Sequence, residues 1–170
     1  MTDSKQMEKT ERIGYDEYFM KIAYVVSERA SCYRRKVGAV IVKDNHILTT
    51  GYNGAPSGIK DSFEHGNCLR DVLNIPSGKD KHICRGVHAE QNAIIQGAKF
   101  GVELRGGTVY CTHGSCVVCA KILINAGIKR FVSCAERKEN DYIELFEEAG
   151  VEFVQIPKPS MEIDHLDYRK

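Results

Sequence analysis

No stretch of this sequence approaches the roughly 20 consecutive apolar residues that a membrane helix needs, and residues 1–11 lack the apolar core of a secretion signal. The expectation is a soluble, cytoplasmic chain without a membrane partner. Net charge is almost absent: 24 Lys and Arg against 23 Asp and Glu leave +1 at pH 7. A large one-signed field for gripping nucleic acid is therefore missing, so nucleic acid is not expected as a partner, although a local basic patch stays open. Internal repeats and low-complexity tracts are missing as well. Cysteine is present, but the seven residues are odd in number and irregularly spaced, which favours reduced thiols or metal ligands over a disulfide framework. At 170 residues and 42% hydrophobic, the chain is long enough for one packed core and short for two. A single domain at 13–156 is expected between polar tails at 1–12 and 157–170.

Apolar residues Phe19, Ile22, Ala23, Val26 and Ala30 recur at three- and four-residue steps, predicting an amphipathic helix over 16–30. An apolar run at 37–42, a polar Asp44-Asn45 pair and a second run at 46–52 predict a β-hairpin. Short β-branched or aromatic runs at 108–112, 130–134 and 151–156 predict three more strands, and helical patterns at 90–98, 116–126 and 142–149 lie between them. Gly127 and Gly150 stand just past two of these helices, where a left-handed residue ends a helix cheaply. Strands separated by helices usually run parallel, so the fold class is α/β, a three-layer α/β/α sandwich with a mixed five-stranded sheet. The stretch 53–87 has little periodicity and is long for a loop without a task, so something must hold it.

Two groups carry the chemistry. His88-Ala89-Glu90 opens one helix and Cys116-Val117-Val118-Cys119 opens the next. Cysteines three apart on a first helical turn can both reach one zinc ion, and His88 from a neighbouring helix would leave the fourth tetrahedral position to water. Helix N-termini favour the thiolate forms, and Glu90, outside the ligand set, is placed to take and return a proton. A C-x-x-C pair with a distant His is also how structural zinc knuckles are built; such a site would need a fourth closed ligand and would have no use for Glu90.

In these two groups the chain resembles the zinc-dependent cytidine and deoxycytidylate deaminase superfamily, whose signature pairs His-x-Glu with Pro-Cys-x-x-Cys. The segments that carry the likeness are Lys36-Val37-Gly38-Ala39-Val40, Gly51-Tyr52-Asn53-Gly54-Ala55-Pro56-Ser57-Gly58, His88-Ala89-Glu90-Gln91-Asn92-Ala93-Ile94 and Ile124-Asn125-Ala126-Gly127-Ile128-Lys129. They look most like the bacterial, archaeal and phage deoxycytidylate deaminases. The resemblance implies a cytidine-deaminase-like sandwich and hydrolytic deamination of dCMP to dUMP and ammonia, with His88, Cys116 and Cys119 holding zinc and Glu90 moving the proton. It also implies that Asn53 and Ala89 lie against the nucleotide, and that the protein is a homo-oligomer, a dimer or a hexamer. Phosphate contacts are sought among Arg34, Arg35, Lys36, Lys60 and Arg85, which border the relevant loops. The plainer alternative for Asn53 is a turn residue before Gly54. Other readings stay open: a deaminase of another amino-substituted base or nucleoside, or a non-catalytic zinc-stabilised module.

Some similar deaminases bind a second, structural zinc with ligands from these regions, which here implies Cys32, Cys68 and Cys84 with His65 or His82; ordinary buried thiols at Cys32 and Cys84 are the plain alternative. Cys111 and Cys134 fall in strands and read as core. The sequence departs from the signature at two places. Ser115 stands where proline usually precedes the first metal cysteine, and a serine can cap the helix in its place. Residues 135–140 lack the tyrosine that similar enzymes carry there near the nucleotide.

Overall fold

The computed structural model describes residues 12–76, 79–134 and 141–162. The elements run α1 Tyr15–Ser27, β1 Gly38–Lys43, β2 His46–Tyr52, α2 Ser62–His65, α3 Leu69–Val72, a 3₁₀ turn Lys81–Ile83, α4 Ala89–Phe100, β3 Thr108–Cys111, α5 Val117–Asn125, β4 Arg130–Ser133, α6 Asp141–Glu148 and β5 Glu152–Gln155. The sheet order is β2-β1-β3-β4-β5. β1 pairs antiparallel with both β2 and β3, whereas β3, β4 and β5 run parallel, which gives the mixed five-stranded sheet expected.

Side-chain alternation along β1 divides the core between the two faces. Ala39 and Ile41 pack with Ala93 of α4, Leu123 of α5 and Phe146 of α6, while Val40 and Val42 pack with Phe19, Met20 and Ala23 of α1. One helix therefore covers one face and three cover the other. In the hairpin, Asp44 and Asn45 have φ of 50° and 61°, the left-handed pair that a two-residue turn between twisted strands requires and that Asp and Asn tolerate best. The predicted face of α1 packs on the sheet, and Met20 and Ser27 join it. Phe19, Met20, Ala23 and Ser27 are its buried residues, Ile22 and Val26 are half-buried, and Ala30 is buried beyond the helix end. The reason is Gly38: the Ala23 carbonyl and the Ser27 N–H lie where a Cβ on that glycine would be, so α1 turns its Ala23–Ser27 edge onto the strand.

An ion pair holds α1 to the far side of the sheet. Arg130 of β4 grips Asp16 with two hydrogen bonds of 2.7 and 2.8 Å, and the Tyr110 hydroxyl donates to the same carboxylate at 2.8 Å. The Arg130 hydrogen bonds, opposed by partial burial, hold the Asp16 carboxyl below its ordinary range. A carboxyl lowered in this way adds stability above its unfolded pKa of about 3.9 and loses it as pH falls through the folded value. Thermal melts between pH 7 and pH 3 should therefore show a steeper loss for the wild type than for Asp16→Asn.

The stretch 53–87 is held by contacts within the chain. Gly54 and Val87 exchange backbone hydrogen bonds of 3.2 and 2.8 Å and close its two ends. A reciprocal capping box between Asp61 and Glu64 starts α2. Arg34 donates to Asp71 and to the Ile75 carbonyl, and Arg70 to the carbonyls of Pro76 and Lys79, so two guanidinium groups bind the returning limb. Of the expected tails, 1–11 and 163–170 lie outside the described residues, as does the 135–140 segment. Among the described residues, no helix is long and apolar enough to cross a membrane.

Candidate active site and metal centre

Two helix starts meet on the face of the sheet covered by α4 and α5. His88 is the N-cap of α4 and Cys116 the N-cap of α5. The His88 Nδ1 lies 3.2 Å from Cys119 Sγ and 3.5 Å from Cys116 Sγ, and the two sulfurs are 3.1 Å apart. A tetrahedral zinc with Zn–S of about 2.3 Å and Zn–N of about 2.0–2.1 Å sets such edges at about 3.5–3.8 Å, so a slight opening of the sulfur pair admits the ion. Among the described residues these three form the one group of potential ligands whose donor atoms lie within 4.8 Å of one another. The donor set, one imidazole and two sulfurs, suits zinc.

The sulfurs are unequal. The Cys116 thiol is driven down because the Cys119 thiol donates to it, with His88 and the Cys119 N–H adding to that against a penalty from burial. Cys119 moves up for the complementary reason, with burial and the Glu90 charge reinforcing it. A divalent ion bound by both sulfurs would favour the thiolate form of each.

Glu90 lies on the first turn of α4 and is only 4% exposed. Its Oε1 accepts from the Ser115 hydroxyl at 3.4 Å, and Ser115 is wholly buried. The expectation that Ser115 caps α5 is corrected here: Cys116 is the cap, its sulfur accepting the Cys119 N–H at 3.2 Å. The serine hydroxyl is directed at Glu90 and at the Cys116 carbonyl instead.

Glu90, His88 and Ala89 line an open cleft. Asn53, Arg34, Arg35 and Arg85 line it, whereas Lys36 and Lys60 are not among its lining residues. Asn53 is more than a turn residue. Its Oδ1 accepts from the Val37 N–H at 2.8 Å and its Nδ2 donates to the Arg35 carbonyl at 2.9 Å, which fixes the amide plane at the cleft wall. Sequence reasoning missed Arg70 and His113, which also line the cleft, as does Gly114. Arg70 carries a signal only in three dimensions, because α3 brings it back over the site. Nη1 of Arg34 and Nε of Arg70 are buried with no hydrogen-bond partner among the described residues.

Cys32, Cys68 and Cys84 stand on the wall of the same cleft, and His65, Cys68 and Cys84 border a smaller adjoining pocket. His65 and His82 are exposed. Among the described residues, no three of these five bring donor atoms within 4.8 Å of one another. Cys111 is buried in the core as expected; Cys134, which lies just past β4, is half-buried.

A family model described as the cytidine and deoxycytidylate deaminase zinc-binding region matches residues 14–135. The chain belongs to the cytidine and deoxycytidylate deaminase family. It is 39% identical over 155 residues to ComE operon protein 2 of Bacillus subtilis (strain 168), a match covering 91% of this chain and 77% of that one. It is 33% identical over 148 residues to the deoxycytidylate deaminase of Saccharomyces cerevisiae, covering 86% of this chain and 46% of the yeast protein. Among solved structures, the dCMP deaminase of cyanophage S-TIM5 in complex with dCMP and dUMP superposes with a TM-score of 0.71 at 32% identity, covering 86% of this chain and 100% of that one. As a family member the chain is a zinc-dependent deaminase, with His88, Cys116 and Cys119 in position for the metal.

Proposed function

We propose that this chain converts dCMP to dUMP and ammonia in pyrimidine nucleotide metabolism. The observation that carries the reading is a buried carboxylate beside a zinc-type donor triad yet outside it, lining a cleft bordered by arginines. A zinc ion held by His88, Cys116 and Cys119 supplies a water whose pKa falls from about 16 toward 7. Glu90 accepts a proton as water oxygen bonds to C4 of the pyrimidine, and delivers it to N3. It then moves a second proton to the exocyclic nitrogen, so that the C4–N bond breaks and ammonia leaves. Because Glu90 is nearly sealed from solvent, the proton it carries stays between water oxygen, N3 and amine.

Asn53 supports the substrate assignment: with its plane pinned by Arg35 and Val37, one amide N–H and one oxygen lone pair remain for a nucleotide. Ala89, with no polar side chain, presents a flat wall at the start of α4. The arginines favour a monophosphate over a free nucleoside. Arg34 and Arg70 are tied to the loop but keep N–H groups with no partner among the described residues, while Arg35 and Arg85 are exposed and able to swing onto a phosphate. The same reading carries a cytoplasmic homo-oligomer, for which exposed Ile95, Phe100 and Val118 on α4 and α5 supply apolar surface.

Ammonia release from deoxycytidylate, cytidylate, deoxycytidine and cytosine tests the assignment. The expected order places deoxycytidylate first, and failure on all four with zinc bound would overturn the enzymatic reading. In the Arg35→Ala/Arg85→Ala variant, KM for deoxycytidylate should rise roughly tenfold or more, the loss expected for charge-assisted hydrogen bonds, while kcat/KM for deoxycytidine stays unchanged.

A further inference from the structure

We infer that Ser115 is a positioning residue for Glu90, a role that the proline usual at this place could not fill. The inference rests on the deaminase reading above and concerns how this chain orients its proton carrier. Ser115 is fully buried and is not among the residues lining the cleft, so it lies behind Glu90 and does not meet substrate. Its hydroxyl is 3.4 Å from Glu90 Oε1 and 3.3 Å from the Cys116 carbonyl oxygen, two acceptors for one proton. The carboxylate is the stronger acceptor, because hydrogen bonds to an ionised group are shorter and roughly twice as strong as neutral ones. Catalytic hydrogen bonds that are long in an empty site commonly tighten when the transition state is bound.

The location makes this contact consequential. Glu90 hangs from the first turn of α4 and Ser115 from the residue before the α5 cap, so the hydroxyl joins the two helix starts that carry the metal donors. A carboxylate held at one oxygen from behind cannot rotate freely about its terminal torsion, which is broad and roughly two-fold for Glu. Its proton-carrying edge is thereby aimed at the cleft. Proline at this position has no hydroxyl to donate and must leave that torsion to other contacts.

The test compares Ser115→Ala, Ser115→Thr and Ser115→Val. Threonine and valine share a shape and differ in the hydroxyl, so their ratio isolates it even if the added methyl costs some stability. Expected for Ala and Val is a roughly 10- to 100-fold fall in kcat for deoxycytidylate with KM within about twofold of wild type, and Thr should recover most of the loss. The affinity for a nucleotide analogue hydrated at C4, which mimics the tetrahedral transition state, should fall by the same factor while dUMP affinity and zinc content stay constant. Wild-type kcat and analogue affinity in Ser115→Ala, or Thr and Val variants equal to each other, would overturn the inference. Turnover by the unmodified chain reports on the function itself, and the variant ratios report on Ser115, so the two fail separately.

Discussion

Glu90→Gln should retain zinc and the folded structure and lose about 10³-fold or more of its turnover. General acid–base catalysis by one positioned group contributes about 10²–10⁴-fold, and here the same carboxylate serves both the attack on C4 and the departure of the amine. An amide matches the carboxylate in shape and can still accept from Ser115, but it neither takes up a proton from water nor releases one to N3. Stability should hold or rise slightly, because a neutral side chain at a site only 4% exposed carries a smaller desolvation cost than a charge. Zinc should also stay, since Glu90 lies outside the three-donor group. Ammonia release, metal content and a thermal melt on one preparation decide the matter. Near-wild-type turnover would remove Glu90 from the chemistry, and loss of zinc would make it a ligand.

Why the site was readable in the sequence while its surroundings were not follows from the range of the forces involved. His88, Cys116 and Cys119 are tied to local geometry: each stands at or within one turn of a helix start, and the residue types that hold zinc are few. The Asp44-Asn45 turn was equally local, because only a few residues accept two successive positive φ values. The stretch 53–87 was opaque because what holds it is remote. Arg34 reaches 41 positions along the chain to Ile75, and Gly54 pairs with Val87, contacts that leave no periodicity. Four-residue helices such as α2 and α3 are too short to show a 3.6-residue pattern, and only the Asp61 and Glu64 capping pair marked one of them. Ser115 fitted a local rule, serine at a helix start, and departed from it because Cys116 already fills the cap and a buried carboxylate lies within reach.

The second large effect is expected far from any reacting atom, at Gly51 of β2. A Cβ on Gly51 would stand 2.2 Å from the Ala89 carbonyl oxygen and 2.4 Å from the Ala93 N–H nitrogen, both backbone atoms of α4 that no side-chain rotation can clear. Gly51→Ala therefore has to push α4 off the sheet. Overpacking of a tight core costs about 1–3 kcal/mol, and a backbone clash at this separation belongs at the upper end, about 3 kcal/mol. For a chain of this length that lowers Tm by about 6–12 °C. The atom displaced first belongs to Ala89, between the ligand His88 and the proton carrier Glu90, so the disturbance passes directly into the triad. Misplacement by about 1 Å is enough to cost roughly 100-fold in rate. Gly51→Ala should thus weaken zinc retention and turnover together, measured by competition with a chelator and by ammonia release at a temperature below its melt. Gly14→Ala is the control: φ there is −68° and nothing lies within 4 Å of the new methyl, so melt, zinc and rate should remain at wild-type values. If Gly51→Ala melted lower yet held zinc and rate unchanged, α4 would be able to move without carrying His88 and Glu90. The close seat of this helix on a glycine would then serve stability alone.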